Sequence, residues 1–389
     1  MRRWWVAVVM AGLLPSGALS AQSALGARGL GAPVGALGAR AAALGNLGIG
    51  LQGDEVSAGD PASWARLAVP SVVVTVQPTW GRFDLGEQVG SSRATRFPLL
   101  GIGYPVRRAR GVVMLSLSGF LEQRWAAESI GTVVIDSMDV EVRDSVTSDG
   151  GVSVIRLGWA QRLGRRLAIG ASAGAYIGAL VETFDRKLDS TDVGGTVYSF
   201  SEEDRWSYSG ATFGAGVSYD AAGVVQLAAA AEWSLDLTRT PTGDTIATSA
   251  SYAIPARFSA GATGRLTPRM HLNASVVYRD WGTAADFADG VASARRWSVG
   301  TGLEWLIADG ETRSLPLRFG YRRLAAPFRY RKEDPVESIW SLGLGLNLAK
   351  RGNLRFGWMD VALERATRRS APLSERFWRA SVSIGITSF

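Results

Sequence analysis

Residues Val225 to Leu237 read Val-Gln-Leu-Ala-Ala-Ala-Ala-Glu-Trp-Ser-Leu-Asp-Leu. Val225, Leu227, Ala229, Ala231, Trp233, Leu235 and Leu237 share one parity, while Gln226, Glu232, Ser234 and Asp236 share the other. A period of two marks a strand with one face in an apolar medium and the other in a polar one. The pattern recurs in Met270, Leu272, Ala274, Val276 and Tyr278 against His271, Asn273, Ser275 and Arg279. It recurs again in Trp340, Leu342, Leu344, Leu346 and Leu348 against Ser341, Gly343, Gly345 and Asn347. In Trp297, Val299, Thr301, Leu303 and Trp305 the opposing residues are Ser298, Gly300, Gly302 and Glu304.

A soluble sandwich also alternates, so strand length and aromatic placement discriminate. Trp297 and Trp305 lie on one face, and at about 3.4 Å per residue with a tilt near 40° they are roughly 20 Å apart in height. That height matches the apolar band of an outer-membrane barrel, and Tyr104, Tyr219, Trp281 and Trp340 near strand ends match its interfacial girdles. Fourteen segments are expected, centred on Ser71 to Asp84, Arg93 to Pro105, Gly111 to Arg124, Gly151 to Leu163, Leu167 to Val181, Ser207 to Tyr219, Gly223 to Leu237, Pro255 to Leu266, Met270 to Trp281, Ala294 to Leu306, Leu315 to Arg323, Glu337 to Leu348, Asn353 to Ala366 and Arg376 to Phe389. Short turns at Gly164 to Arg166, Asp220 to Ala222, Thr267 to Pro268 and Ala349 to Gly352 alternate with long polar connections. Ala126 to Gly150 and Phe184 to Trp206 are the longest of these and are expected as exposed loops. The expected architecture is therefore all-β, a membrane-spanning antiparallel barrel over residues 71–389 with short periplasmic turns and long outer loops.

Composition agrees. The chain has no cysteine, so disulfides, thiolate metal sites and lipoprotein acylation are excluded. No metal constellation or cofactor motif is visible. Arg2 and Arg3, the apolar run Trp4 to Leu14, Pro15 and the small residues Ala18, Ser20 and Ala21 form a secretory signal peptide over residues 1–21. Export argues against nucleic acid as the partner of a chain of net charge +7. A terminal Phe389 is the usual outer-membrane assembly signal, which implies handling by the barrel assembly machinery. It falls on the parity opposite to Trp378, Ala380, Val382, Ile384 and Ile386.

Residues 22–70 precede the first strand and are rich in Gly and Ala, with Gly35 to Gly45 readable as a short helix. This segment reads either as a flexible tail or as a plug in the lumen. Gly38-Ala39-Arg40-Ala41-Ala42-Ala43-Leu44-Gly45, followed by Asp60-Pro61-Ala62-Ser63-Trp64-Ala65, resembles the amino-terminal hatch of FadL/TodX-type outer-membrane transporters of long-chain fatty acids and hydrocarbons. Ile254 to Gly261, Arg279-Asp280-Trp281 and Arg318-Phe319-Gly320-Tyr321 with Pro327 add to the resemblance. It implies a hatch at residues 22–70 whose Asp60, Pro61 and Ala62 sit against an inward kink of the third strand, here Ser118-Gly119-Phe120. Asp60 stands where that family usually has Asn. The hatch pattern is also similar to PorV-like barrels, which serve a secretion system as partners.

Arg156, Arg162, Arg257, Arg265, Arg279, Arg318 and Arg322 are assigned to the lumen, with Glu232 and Glu304 as partners. They form either an internal ion-pair network or a cationic surface for a ligand's carboxylate. Arg257, Arg279 and Arg318 are the candidate ligand contacts. Asp60, Pro61, Ala62, Gly119 and Phe120 are the candidate gate. His271 and Asn273 share a face, and no Ser except Ser275 accompanies them in a catalytic arrangement, so an enzyme is not expected. The expected function is passive uptake of a hydrophobic or amphipathic small molecule through a barrel embedded in outer-membrane lipid. A non-transporting scaffold or secretion-system partner and a general diffusion porin are the alternatives.

Overall fold

A computed structural model describes residues 19–21 and 30–387, apart from 36, 54–55, 86–87, 136–137, 190–197, 285–292, 310–313, 330–332, 352–353 and 371–372. The signal peptide up to residue 18 and the terminal Phe389 lie outside the described residues. Fourteen long strands form the wall: β1 Ser71–Leu85, β2 Gln88–Val106, β3 Gly111–Glu122, β4 Met138–Leu163, β5 Leu167–Asp189, β6 Tyr198–Ala221, β7 Val225–Ser234, β8 Arg257–Thr267, β9 Met270–Arg279, β10 Trp297–Asp309, β11 Ser314–Ala325, β12 Val336–Arg351, β13 Leu354–Ser370 and β14 Leu373–Thr387. Each pairs antiparallel with the next, and β14 closes the ring on β1 from Thr387↔Ser71 to Leu373↔Leu85. Closure leaves no sheet edge around most of the wall, which is what a bilayer demands of a β-structure.

The alternation survives as the two faces of the wall. On β12, Trp340, Leu342, Leu344 and Leu346 are exposed outward, and Ser341, Gly343 and Gly345 are buried inward. On β10, Trp297, Val299 and Trp305 face out, while Gly300, Gly302 and Glu304 face in. The short connections lie together at one end, the end from which the chain enters β1. Gly164 (φ 72°) and the pair Ala222 (φ 54°) and Gly223 (φ 71°) make two of these turns. Asp220 Oδ1 holds the second by accepting from Gly223 N at 2.6 Å.

Four sequence expectations need correction. The described residues of Ala126 to Gly150 and of Phe184 to Trp206 are mostly strand, not irregular loop. Trp125–Ile135 forms a hairpin with β4, and β4, β5 and β6 continue far past the band of outward aromatics. Cross-strand pairs extend the ladder there, as where Arg186 faces Asp144 and bonds it at 2.7 Å. Leu237 is not on the outer face but fully buried. Ser234 pairs with Thr212 and Thr238 with Ser209, so β7 and its continuation Leu237–Thr242 carry one residue more than β6. That bulge reverses the parity. Trp281 is not a girdle residue: it is buried in a 3-10 turn capped by Asp280. Finally, β12 runs through Ala349 to Arg351 with two register shifts where a turn had been expected.

Because the outward face meets lipid, Leu342→Arg should lower barrel stability by about 2–4 kcal/mol if it lies near the membrane midplane. The expected reading is a lower urea midpoint for unfolding from lipid vesicles.

Candidate functional site: the barrel interior

The described residues between Leu37 and Leu67 pack against the inward face of the ring. The helix Ala39–Ala43 is a single turn that could not persist alone. Its alanines make it possible, because Ala39, Ala42 and Ala43 pack directly on Ala362 of β13. Ala39 N donates to Ser383 Oγ at 2.7 Å, and Ser341 Oγ donates to the Ala43 carbonyl at 2.9 Å. The helix ends at Gly45 (φ 58°), and the backbone there rests on the wall. A Cβ on Gly300 would lie 2.0 Å from Gly45 O, and one on Gly302 would lie 2.2 Å from Leu44 O. Only glycine admits so close an approach.

Beyond Gly45 the fully buried Asn46 organises the next turn. Its Oδ1 accepts from Gly48 N (2.7 Å) and Ile49 N (3.0 Å), while Nδ2 donates to Ile49 O and to Asn273 Oδ1 of β9. Asp60 does the same for the turn Pro61–Arg66. Its Oδ1 accepts from Ser63 N and its Oδ2 from Gly50 N, at 3.2 and 3.3 Å. Burial raises the Asp60 carboxyl above its ordinary range, against the lowering effect of these backbone donors and of Arg66. Pro61 sits on β5, where a Cβ at Gly170 would be 2.4 Å from its carbonyl oxygen. Trp64 is wholly buried among Val56, Leu67, Val73 and Met114, with its Nε1 donating to Ser57 O at 2.8 Å.

Charge ties this segment to the wall. Arg40 grips Glu304 through both carboxylate oxygens, at 3.0 and 2.9 Å, and also donates to Gln52 O. Arg318 shares Glu304 (2.7 Å) and reaches Asp360 (2.5 Å) while only 2% exposed. Arg257 donates to Leu47 O at 3.2 Å and to Gly59 O at 3.5 Å. Arg279 and Arg156 share Glu232, at 3.2 and 2.9 Å, and Arg156 also donates to Ser118 Oγ. Arg322 pairs with Glu364 in a further cluster that includes Arg379, Glu337, Arg368 and Glu375. Arg162 and Arg265 are exposed at the short-turn end. The lumen arginines are therefore held by carboxylates and carbonyls of the protein itself, with Arg257 and Arg318 bound into the contact between segment and wall.

Towards the opposite end, β2 and β3 pair only from Val106↔Gly111 to Leu99↔Ser118. A register shift against β4 follows between Gly119 and Leu121. The vacated edge of β3 is taken by the short strand Ala32–Pro33, opposite Glu122 and Leu121, and Val34 N donates to Phe120 O at 2.8 Å. The residue against Gly119 is Val34, whose Cγ1 would lie 2.8 Å from an added Cβ. Pro61 and Ala62 seat on Gly170, Gly214 and Gly216 of β5 and β6 instead, and Asp60 bonds within the segment, which departs from the arrangement the resemblance implied. Behind the break, Leu30, Phe120, Leu121, Tyr176, Leu180, Tyr208, Leu237, Ile254 and Trp281 form one buried apolar cluster. Phe120 and Tyr176 rings stand 4.9 Å apart, and the Arg279 guanidinium lies over Phe120 (5.9 Å) and Trp281 (5.3 Å). Sequence reasoning missed Asn46 and this cluster. The first carried only a Gly-rich context as signal, and the second draws on residues scattered along the chain from Leu30 to Trp281.

The family model for BamG matches residues 3–312. The chain belongs to the BamG family. No functionally curated protein matches it. Among solved structures, this BamG-family barrel is similar to a Pseudomonas aeruginosa FadL homologue at TM-score 0.60 and 14% identity, covering 93% of this chain and 99% of that one. It is similar to the Pseudomonas putida toluene transporter TodX at 0.58 and 13%, over 91% and 99%. It is also similar to the Ralstonia pickettii toluene transporter TbuX at 0.57 and 14%, over 92% and 99%. The resemblance carried by the short motifs thus extends to the whole fold, and the chain is an outer-membrane protein.

Asp60→Ala should destabilise the folded barrel by about 1–3 kcal/mol, because two buried backbone donors lose their acceptor. Asp60→Asn should fall between the parent and Asp60→Ala, since its single amide oxygen keeps one of the two backbone donors while its NH2 stands against the other. The temperature at which the folded electrophoretic band is lost reads both.

Proposed function

We propose that this BamG-family barrel is a passive outer-membrane conduit for hydrophobic or amphipathic small molecules, with residues 22–70 as its plug. The observation that carries this reading is the apolar, aromatic cluster of Phe120, Tyr176, Tyr208 and Trp281, which lies behind the interrupted pairing of β2 and β3. A cluster of aromatic rings at a break in the wall suits an apolar ligand. The fold is shared with proteins described as toluene transporters and a monoaromatic hydrocarbon channel. Arg279, lying over two of the rings, is the group to meet a carboxylate if long-chain fatty acids are carried. Arg257 and Arg318 act on the plug. Gly119 and Phe120 border the wall break, while Asp60, Pro61 and Ala62 hold the plug's second turn. A general diffusion porin is disfavoured, because the described residues between Leu37 and Leu67 pack against the inward face of the ring.

The test is equilibrium binding of toluene and of oleate to detergent-purified protein. Binding of either, weakened about tenfold by Phe120→Ala for the loss of one aromatic contact surface, supports the reading. No binding of any apolar ligand overturns it.

A second reading, a partner of the barrel assembly machinery, is favoured by the family's name and by Leu30, a residue of the chain itself, occupying the apolar cluster. Loss of other outer-membrane proteins from a deletion strain, with no ligand binding by the purified chain, would select it.

A further inference from the structure

The short-turn end of the barrel holds a cavity of about 590 Å³ between the interior segment and the wall. Its charged lining is Arg40, Arg66, Arg162, Arg165, Arg166 and Arg318 against Asp220, Glu304 and Asp360. Arg40 and Arg318 are already neutralised by Glu304 and Asp360. Four arginines then face one carboxylate, and that carboxylate caps its own turn at Gly223. Arg66 is fixed by donating to Leu51 O (3.1 Å) and Ser218 Oγ (3.0 Å), and Arg162 leans on the turn by donating to Arg165 O (3.2 Å). Among the described residues no carboxylate pairs with Arg165 or Arg166.

The positive field does not stop at the cavity. β3 and β4 pair from Gly111↔Gln161, so the turn Arg107–Arg110 stands beside the turn at Gly164–Arg166. Arg107, Arg108 and Arg110 are all exposed there. Tyr104, outward and 59% exposed, marks the edge of the apolar band only a few residues away. Guanidinium groups at that depth lie at the level of lipid headgroups, and a half-enclosed cavity weakens their screening.

We propose that this end of the barrel is a phosphate-binding vestibule, with Arg165 and Arg166 from the wall and Arg66 from the interior segment as its donors. Phosphate is the chemistry that suits it, because planar guanidinium forks on several sides match oxygens disposed tetrahedrally about phosphorus, where a carboxylate offers two in one plane. A bound phosphate group would bridge the segment to the wall. Two sources carry that chemistry: the headgroup of an anionic phospholipid, and a free phosphate compound.

Native mass spectrometry of the full detergent-purified chain tests this with three probes added separately: phosphatidylglycerol, phosphatidylcholine and inorganic pyrophosphate. Phosphatidylglycerol bound in preference to phosphatidylcholine identifies the lipid source, and pyrophosphate bound alone identifies the soluble one. Either binding should fall about tenfold or more in the double variant Arg165→Glu and Arg166→Glu, as expected from losing charge-assisted bonds, and should weaken with salt. Both substitutions lie in an exposed turn, so the folded electrophoretic band should persist, and Arg269→Glu in another turn should leave binding unchanged. No binding of either phosphate probe, equal loss in Arg269→Glu, or binding of an acidic peptide in place of both probes overturns the proposal.

Discussion

A closed sheet satisfies its own backbone and leaves the side chains of its inner face to find partners. Everything inside this barrel follows from that constraint. Fourteen strands turn a ring of arginines and carboxylates toward a narrow lumen, where an unpaired charge is costly and a paired one is tolerated. The pairs run in chains. Arg40, Glu304, Arg318 and Asp360 form one, and Arg156, Glu232 and Arg279 another. In each, one carboxylate serves two guanidinium groups: Glu304 holds Arg40 and Arg318, and Glu232 holds Arg156 and Arg279.

The same constraint explains why the interior segment can be built from such weak helix and turn material. It needs no stability of its own, because the wall supplies the partners for its termini. Ser383 accepts the first helical N–H and Ser341 donates to the last carbonyl. Gly300, Gly302, Gly320 and Gly170 give up side-chain volume where the segment's backbone arrives. Small residues therefore do in the lumen what large apolar ones do in a soluble core, since contact at backbone distance recovers dispersion energy without side-chain entropy. Trp64 is the largest anchor the segment adds to these small contacts, beside Leu44, Ile49, Leu51 and Leu67.

The interior divides accordingly. One half, near the short turns, is lined by glycine and polar residues, receives the interior segment and keeps a cavity beside it. The other half holds the apolar, aromatic cluster beside the ion pairs of Glu337, Arg368, Glu375 and Arg379, and there β2 and β3 lose their pairing beyond Ser118. The amino-terminal residues Leu30 to Val34 reach that second half and supply both an apolar side chain and a substitute strand. A single tract of chain thus touches both halves.

The alternating segments determined the barrel on their own: parity of apolar and polar residues is a local property, and β10 and β12 keep in the structure the faces they show in the sequence. Tertiary structure alone decided the rest. The parity of Leu237 depends on a bulge against β6, and Trp281 leaves the lipid face because a 3-10 turn carries it inward. Whether Arg257, Arg279 and Arg318 stood free or paired depended on which carboxylates and carbonyls came opposite them. Register and closure bring together residues hundreds of positions apart, and no spacing along one strand encodes what the far wall presents.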